Sequence, residues 1–142
     1  MKKILTLILL LVLFSANTFA GDAEFKKSWV DSFGYENDVW GRYVHAGFVI
    51  NGCKGQNCKF IVYIKDDKGN YIKDKLGKTV SFSEKFMPNS EGAKFHDFRI
   101  FCPLSSMNIT SSNPQKTYYF VVYILDANNK FIGNSTSMKI TY

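Results

Sequence analysis

The chain has 142 residues, of which 46% are hydrophobic and 16% aromatic, with 18 Lys and Arg against 12 Asp and Glu. A net charge of +6 is mild, and the lysines stand beside acids, as in Lys65-Asp66-Asp67-Lys68, instead of forming a basic stripe with interleaved rings. The composition therefore argues against nucleic-acid binding.

The first 20 residues have the pattern of a secretory signal peptide. Lys2 and Lys3 precede an apolar stretch that ends at Phe14, and Thr18 and Ala20 supply the small residues expected before a cleavage site. The apolar stretch is too short for a membrane span, which needs about 20 residues. We expect residues 1–20 to be removed and residues 21–142 to form a single domain that is secreted or periplasmic in a bacterium, with no membrane span.

Short apolar runs separated by turn residues fill the rest of the chain. We predict strands at 44–50, 59–64, 79–86, 95–101, 118–125 and 138–142, with return segments at 71–73 and 131–133. Residues 51–58 are predicted to be a hairpin connection and residues 105–115 a surface loop. Such a pattern favours an all-β fold, an antiparallel β-sandwich of immunoglobulin-like general shape with seven to nine strands. A small closed barrel is the alternative.

A 13-residue segment occurs twice. Phe60–Ile72 and Phe120–Ile132 are identical at six of 13 positions, and each combines a β-branched and aromatic run with an Asp-led turn. This is typical of a β-hairpin. We expect the two hairpins to lie in facing sheets and to place Tyr63 and Tyr123 in similar surroundings. Either an internal duplication or independent selection for similar buried hairpins explains the repeat.

Cys53, Cys58 and Cys102 would all meet an oxidising compartment after export. We predict a disulfide between Cys53 and Cys58, across the presumed hairpin loop, stabilising the fold by about 2 kcal/mol. Cys102 is then a buried small hydrophobic residue, with pairing to another chain or to either other cysteine as alternatives. A zinc site with His45 or His96 is disfavoured by the ligand spacing.

The sharpest catalytic hypothesis is Cys102 as nucleophile, His96 as base and Asp97 as orienting group. On one strand, however, His96 and Cys102 would lie about 20 Å apart, at about 3.3 Å per residue. His45 is interpreted as a strand histidine with satisfied hydrogen bonds. We predict no catalytic residue, no metal site and no cofactor.

Aromatic rings beside polar groups hold sugars by stacking, and four rings lie near turns or irregular segments. The ligand-stacking candidates are Trp40, Tyr43, Tyr35 and Tyr71. The competing interpretation is that such rings, Trp29 and Trp40 above all, supply core area. A protein partner could instead add a strand beside the terminal segment Ser137–Tyr142.

From Trp29-Val-Asp onward the chain resembles a family of small, largely uncharacterised exported domains of Bacteroidota-type bacteria. The resemblance depends on His45-Ala-Gly-Phe-Val-Ile-Asn-Gly, on Tyr63 with its Asp-Lys-Gly-Asn turn, and above all on the 15 residues from Phe95 to Ile109. Family members often have Met-Pro-Tyr where this chain has Cys102-Pro-Leu, which favours Cys102 as a hydrophobic substitute. The resemblance implies a β-sandwich and no known reaction.

These observations predict a non-enzymatic binding or accessory module of the bacterial envelope or exterior, with a protein or glycan partner. The alternative is a small secreted hydrolase that uses Cys102 or a histidine.

Overall fold

The structure, a computed structural model, describes residues 21–109 and 115–142. These residues form eight strands and one helical turn. The elements are β1 (Asp22–Glu36), β2 (Val39–Asn51), β3 (Cys58–Lys65), β4 (Ser81–Phe86), β5 (Ala93–Pro103), α1 (Leu104–Met107), β6 (Thr117–Leu125), β7 (Phe131–Asn134) and β8 (Met138–Thr141). The predicted signal peptide lies outside the described residues.

The strands form two antiparallel sheets that pack together. The first sheet has the order β1-β2-β5, and the second has the order β4-β3-β6-β7, with β8 also pairing with β6. The prediction of an all-β, sandwich-like arrangement is confirmed at this level.

Alternation along the strands builds the core between the sheets. In β2, Val44, Ala46, Phe48 and Ile50 are at most 1% exposed, because every second side chain faces the second sheet. The Phe48 ring stacks on Phe95 with centroids 4.9 Å apart. Burying each large apolar side chain contributes about 1.5–3 kcal/mol.

Strand β1 is the largest element that the sequence pattern does not predict. Its pairing with β2 shifts register between Phe25 and Lys27 and again between Val30 and Phe33. Each bulge changes which residues face the core, so the alternation that would indicate a strand is interrupted. At its start β1 comes close to β7, where a Cβ on Gly133 would lie 2.1 Å from the Ala23 carbonyl oxygen.

The repeated hairpins lie side by side in the second sheet, so the expectation that they occupy facing sheets is wrong. Val62 pairs with Val122, Phe60 with Ile124 and Ile64 with Phe120. This register gives the β3–β6 pair a local two-fold symmetry. Two equivalent strands can pair with each other when they run antiparallel, because each strand then offers the same pattern of N–H and C=O groups to its partner.

An Asp-led turn occurs three times, once more than the repeat predicts. Asp66, Asp74 and Asp126 each accept two backbone N–H bonds through one carboxylate oxygen, from the residues two and four positions ahead. The fourth residue of each turn has positive φ: Gly69, Gly77 and Asn129. These are the residue types that adopt this conformation with least strain.

Two predicted loops differ from the structure. Residues 51–58 are not a hairpin connection, because β2 belongs to the first sheet and β3 to the second, so this loop crosses between the sheets. The segment predicted as a surface loop at 105–115 begins within α1, whose Met107 is fully buried. Residues 110–114 lie outside the described residues.

Candidate binding surface

Four aromatic rings form a continuous line across the outer face of the second sheet. Ring centroids are 5.3 Å apart between Tyr71 and Tyr63, 5.6 Å between Tyr63 and Tyr123, and 5.1 Å between Tyr123 and Phe131. We call these four residues the aromatic row. The planes of neighbouring rings are inclined by 53–76°, so the row has a ridged surface.

The hairpin repeat produces the row. Tyr63 and Tyr123 occupy equivalent positions 60 residues apart, as do Tyr71 and Phe131. The inner pair faces outward because Val62 and Val122, their neighbours along the strands, face the core. The outer pair follows the Asp66 and Asp126 turns directly.

The inner and outer rings of the row differ in exposure. Tyr63 and Tyr123 are half-buried and lie directly opposite Val121 and Ile61, which are only 4% and 8% exposed on this outer face. Tyr71 and Phe131 are 41% and 59% exposed. The inner rings therefore cover apolar surface, whereas the outer rings leave a large part of their own surface to solvent.

Polar groups accompany the rings. The Lys65 ammonium group lies 4.9 Å from the Tyr71 ring centroid. Burial, followed by a hydrogen bond with Tyr71, raises the pKa of Tyr123. The row thus combines apolar ring faces with donors and acceptors at its edges.

The outer face of the first sheet has a different chemistry, centred on His45. This side chain is 4% exposed, with Nδ1 2.6 Å from an Asp97 oxygen and Nε2 2.9 Å from an Asp31 oxygen. The Trp29 ring stacks on it at 4.6 Å. The interpretation of His45 as a satisfied strand histidine agrees with this geometry.

Tyr43 lies beside this cluster, and both its hydroxyl and its ring contact other protein groups. Its hydroxyl hydrogen-bonds to Glu36, and that bond is the main reason the pKa of Tyr43 is raised. The Phe101 ring lies 5.1 Å away, and the Arg99 guanidinium lies 5.1 Å from the Tyr43 ring centroid. Little of this ring is left for a ligand.

Tyr35 and Trp40 meet at the end of the β1–β2 hairpin. Their ring centroids are 5.0 Å apart, and the side chains are 56% and 58% exposed. The turn at Asn37 and Asp38 has positive φ at both residues, as a two-residue hairpin turn of type I′ requires. The core interpretation of Trp40 is therefore wrong.

Arg42 anchors this hairpin to the sandwich. It is 8% exposed, donates from Nε to the Tyr142 hydroxyl at 2.7 Å and from Nη1 to the Asp31 carbonyl at 2.9 Å. The Phe33 ring lies 4.3 Å from the guanidinium carbon. Asp31 thus accepts from Arg42 through its backbone and from His45 through its side chain, which fixes the second bulge of β1.

The four predicted stacking residues do not form one site. Tyr35 and Trp40 lie together, Tyr43 lies on the outer face of the first sheet, and Tyr71 lies on the second sheet. Tyr63, Tyr123 and Phe131 were not among the candidates. The repeat was the available signal for them, because it aligns Tyr63 with Tyr123 and Tyr71 with Phe131.

The predicted bridge between Cys53 and Cys58 is absent from the structure, in which all three cysteines are free and buried. The two thiols are close enough for each to affect the pKa of the other. Burial is the main cause that raises the pKa of both, for Cys58 to about 12. The expected proximity is found, whereas the expected bond is not.

Cys102 is fully buried opposite Arg42, and burial raises the pKa of its thiol far above the ordinary range. His45 lies on the other face of the first sheet, and His96 is exposed at the far end of β5. Within residues 21–109 and 115–142, no hydrogen bond joins Cys102 to either histidine. The geometry gives no support to a thiol nucleophile.

The described part of the chain contains no group of three or more His, Cys, Asp or Glu side chains that could hold a metal ion. Within the same residues, no helix is long and apolar enough to span a membrane.

Comparisons with known proteins leave the family open. No family model matches the chain, and no curated protein matches it. One solved structure, a structural-genomics target titled "X-ray structure of Northeast Structural Genomics Consortium target SoR45", is similar over 89% of this chain and 88% of its own. The identity is 9% and the TM-score is 0.31.

Proposed function

We propose that this protein is an exported, non-enzymatic module of the bacterial envelope or exterior that binds a glycan along the aromatic row. The proposal takes residues 1–20 as a signal peptide and residues 21–142 as one sandwich domain of immunoglobulin-like general shape. The resemblance to small exported Bacteroidota-type domains is consistent with it. The observation that carries it is the uninterrupted line of four rings on an outer sheet face.

The chemistry of the row suits a sugar chain. The axial C–H groups of a pyranose form an apolar face that packs on an aromatic ring, while its hydroxyls seek donors and acceptors at the ring edge. The centroid spacings of 5.1–5.6 Å are close to the length of one pyranose unit in an extended chain. Successive sugars could therefore meet successive rings.

The outer rings supply the strongest argument. Tyr63 and Tyr123 are accounted for by the apolar side chains beside them, but Tyr71 and Phe131 leave 41% and 59% of their surface exposed at the two ends of the row. A ligand that spans the row would cover the exposed surface of Tyr71 and that of Phe131.

Affinity electrophoresis against soluble polysaccharides tests the proposal. We expect migration to be retarded by at least one of hydroxyethylcellulose, xylan, mannan, laminarin and glycol chitin. Tyr71→Ala and Phe131→Ala should each weaken binding by about threefold to tenfold, the range that stacking of one ring supplies. The matched controls, Tyr35→Ala and Trp40→Ala, remove rings elsewhere that are at least comparably exposed, and these variants should bind as the parent does. No retardation by any polysaccharide, or loss confined to the controls, would overturn the proposal.

A protein partner that adds a strand to β8 is the second candidate. Within the described residues β8 pairs only with β6, which leaves its other edge unpaired, as predicted for the terminal segment. Tyr142 exchanges backbone bonds with Lys116, so alternation directs the Lys139 N–H outward. Lys139→Pro should therefore block strand addition and preserve the fold. Cross-linking of the parent to an envelope protein that this variant loses would favour the second candidate.

A further inference from the structure

A groove of about 310 Å³ crosses the outer face of the first sheet around Gly47. We call it the Gly47 groove. It takes residues from all three strands of the sheet, with Lys27 on β1, Val49 on β2, and Lys94 and Phe95 on β5. Its volume lies at the lower end of the range for small-molecule pockets, about 300–1,000 Å³.

Two bulges on opposite neighbours of β2 create the groove. Strand β1 shifts register between Phe25 and Lys27, and β5 shifts where it faces the step from Ala46 to Phe48. Both irregularities therefore meet at Gly47. Bulges are over-represented at sheet edges, where β1 and β5 lie, and next to active sites.

Gly47 keeps the floor of the groove low. A Cβ on this residue would lie 3.0 Å from the His96 carbonyl oxygen and 3.1 Å from two carbons of the Lys27 side chain. Glycine inside a strand often marks a place that a ligand or another backbone approaches closely. Here it is the backbone of β5 and the stem of Lys27 that approach.

The rim of the groove is cationic. Lys26 is paired with Glu24, but within the described residues neither Lys27 nor Lys94 forms an ion pair. The Lys27 ammonium lies 4.6 Å from the Trp29 ring centroid. The nearest carboxylate on β5, Asp97, is already bonded to His45. Two ammonium groups thus border a groove whose outward-facing lining includes Val49 and the aliphatic stem of Lys27, whereas the Phe95 ring packs on Phe48 in the core.

We propose that the Gly47 groove binds a small amphiphilic anion, with one carboxylate or phosphate head group on a short hydrocarbon body. Lys27 and Lys94 receive the head group, because charge-assisted bonds from ammonium to oxyanion are the strongest that the rim offers. Val49 and the aliphatic stem of Lys27 receive the hydrocarbon. The site is independent of the aromatic row, which lies on the other sheet.

Trp29 provides the readout. The chain has two tryptophans, so Trp40→Phe leaves Trp29, beside Lys27, as the single indole. In this background we expect octanoate or octyl phosphate to change Trp29 emission saturably at constant ionic strength. Octan-1-ol, which lacks the charge, and inorganic phosphate, which lacks the hydrocarbon, should each bind at least about tenfold more weakly, since each loses one class of contact. A preference between the two anions identifies the head group.

Lys94→Gln should weaken octanoate binding about tenfold, the loss of one charge-assisted bond. Lys54→Gln, which removes an exposed lysine in the loop that crosses between the sheets, is the matched control and should have no effect. Gly47→Ala should abolish binding by raising the floor. Should that variant fail to fold, Lys94→Gln decides the matter, because its side chain is exposed.

Three results would overturn the proposal: octan-1-ol binding as tightly as octanoate, inorganic phosphate binding as tightly as octanoate, or equal weakening by Lys94→Gln and Lys54→Gln. The first would indicate a purely apolar groove, and the other two nonspecific attraction of counterions.

Discussion

On the outer face of the first sheet, Trp29 stacks on a histidine held by two carboxylates, and Tyr43 bonds to Glu36 beneath a guanidinium. On the outer face of the second sheet, the rings of the aromatic row contact chiefly one another. Both outer faces carry aromatic rings, but the contacts of these rings differ. Rings held by carboxylates and a guanidinium fix the local structure of the first sheet, whereas the outer rings of the row, Tyr71 and Phe131, keep much of their surface exposed.

If the reactive and binding groups of this protein lie on its two outer faces, its buried thiols should be unreactive. Burial raises the pKa of Cys58 from 9.0 to about 12, which lowers its thiolate fraction at pH 8 about a thousandfold. We expect iodoacetamide to modify Cys58 and Cys102 at least about a hundredfold more slowly in the folded protein than in urea. Mass spectrometry at timed intervals measures both rates.

The pH dependence has a defined sign. A thiol whose folded pKa is raised contributes stability that is fully present below its ordinary pKa and is lost as the pH rises towards the folded pKa. For Cys58 this window runs from about pH 9 to about pH 12. Rapid modification of Cys102 at pH 8 in the folded protein would contradict its buried position and revive a thiol mechanism.

The next largest effect concerns His45. His45→Ala removes two hydrogen bonds to carboxylates and the stacking partner of Trp29 from a buried site, so we expect the free energy of unfolding to fall by about 2–4 kcal/mol. The exposed His96→Ala is the control and should change it by less than about 0.5 kcal/mol. Urea denaturation measures both. Equal effects would mean that His45 does not hold the first sheet together.

The two repeated turns should each contribute less to stability than His45, and by similar amounts. Asp66→Ala and Asp126→Ala each remove a carboxylate that accepts two backbone N–H bonds, and each should cost about 1 kcal/mol because these bonds are exposed. Asp67→Ala, next to the first turn, should be neutral. A large difference between the two turns would contradict the structural equivalence of the repeat, and urea denaturation can resolve it.

The smallest effect on stability is expected in the aromatic row. Tyr71→Ala and Phe131→Ala should each lower the free energy of unfolding by less than about 1 kcal/mol, since these residues are 41% and 59% exposed. Tyr63→Ala should cost more because it uncovers Val121. If the outer rings proved as costly as His45, the row would be structural and the contrast between the two faces would disappear.

The fold class could be predicted from the sequence where residues alternate cleanly. Strands β3 and β6 have apolar runs bounded by turns. The predicted segments 59–64 and 118–125 lie inside these two strands. Strand β1 could not be predicted, because its two bulges place Lys26 and Asp31 at points where the alternation breaks. The position of a bulge depends on how a strand pairs with its neighbours, and local sequence patterns do not show that pairing.

The candidate site was only partly predictable. Tyr71 was found from its position after a turn, and its partners in the row were visible only once the register of β3 against β6 was known. The repeat aligns the right residues but does not say whether its copies face each other or lie side by side. Tertiary pairing decided this, and with it whether the rings meet.

An NMR titration with the tightest-binding oligosaccharide of the polysaccharide panel tests the central claim most directly. With selectively labelled Tyr and Phe rings, we predict that the signals of Tyr71, Tyr63, Tyr123 and Phe131 shift together, while those of Tyr35 and Tyr43 do not. Shifts confined to Tyr35 and Tyr43 would place the ligand on the first sheet and contradict the proposed role of the aromatic row.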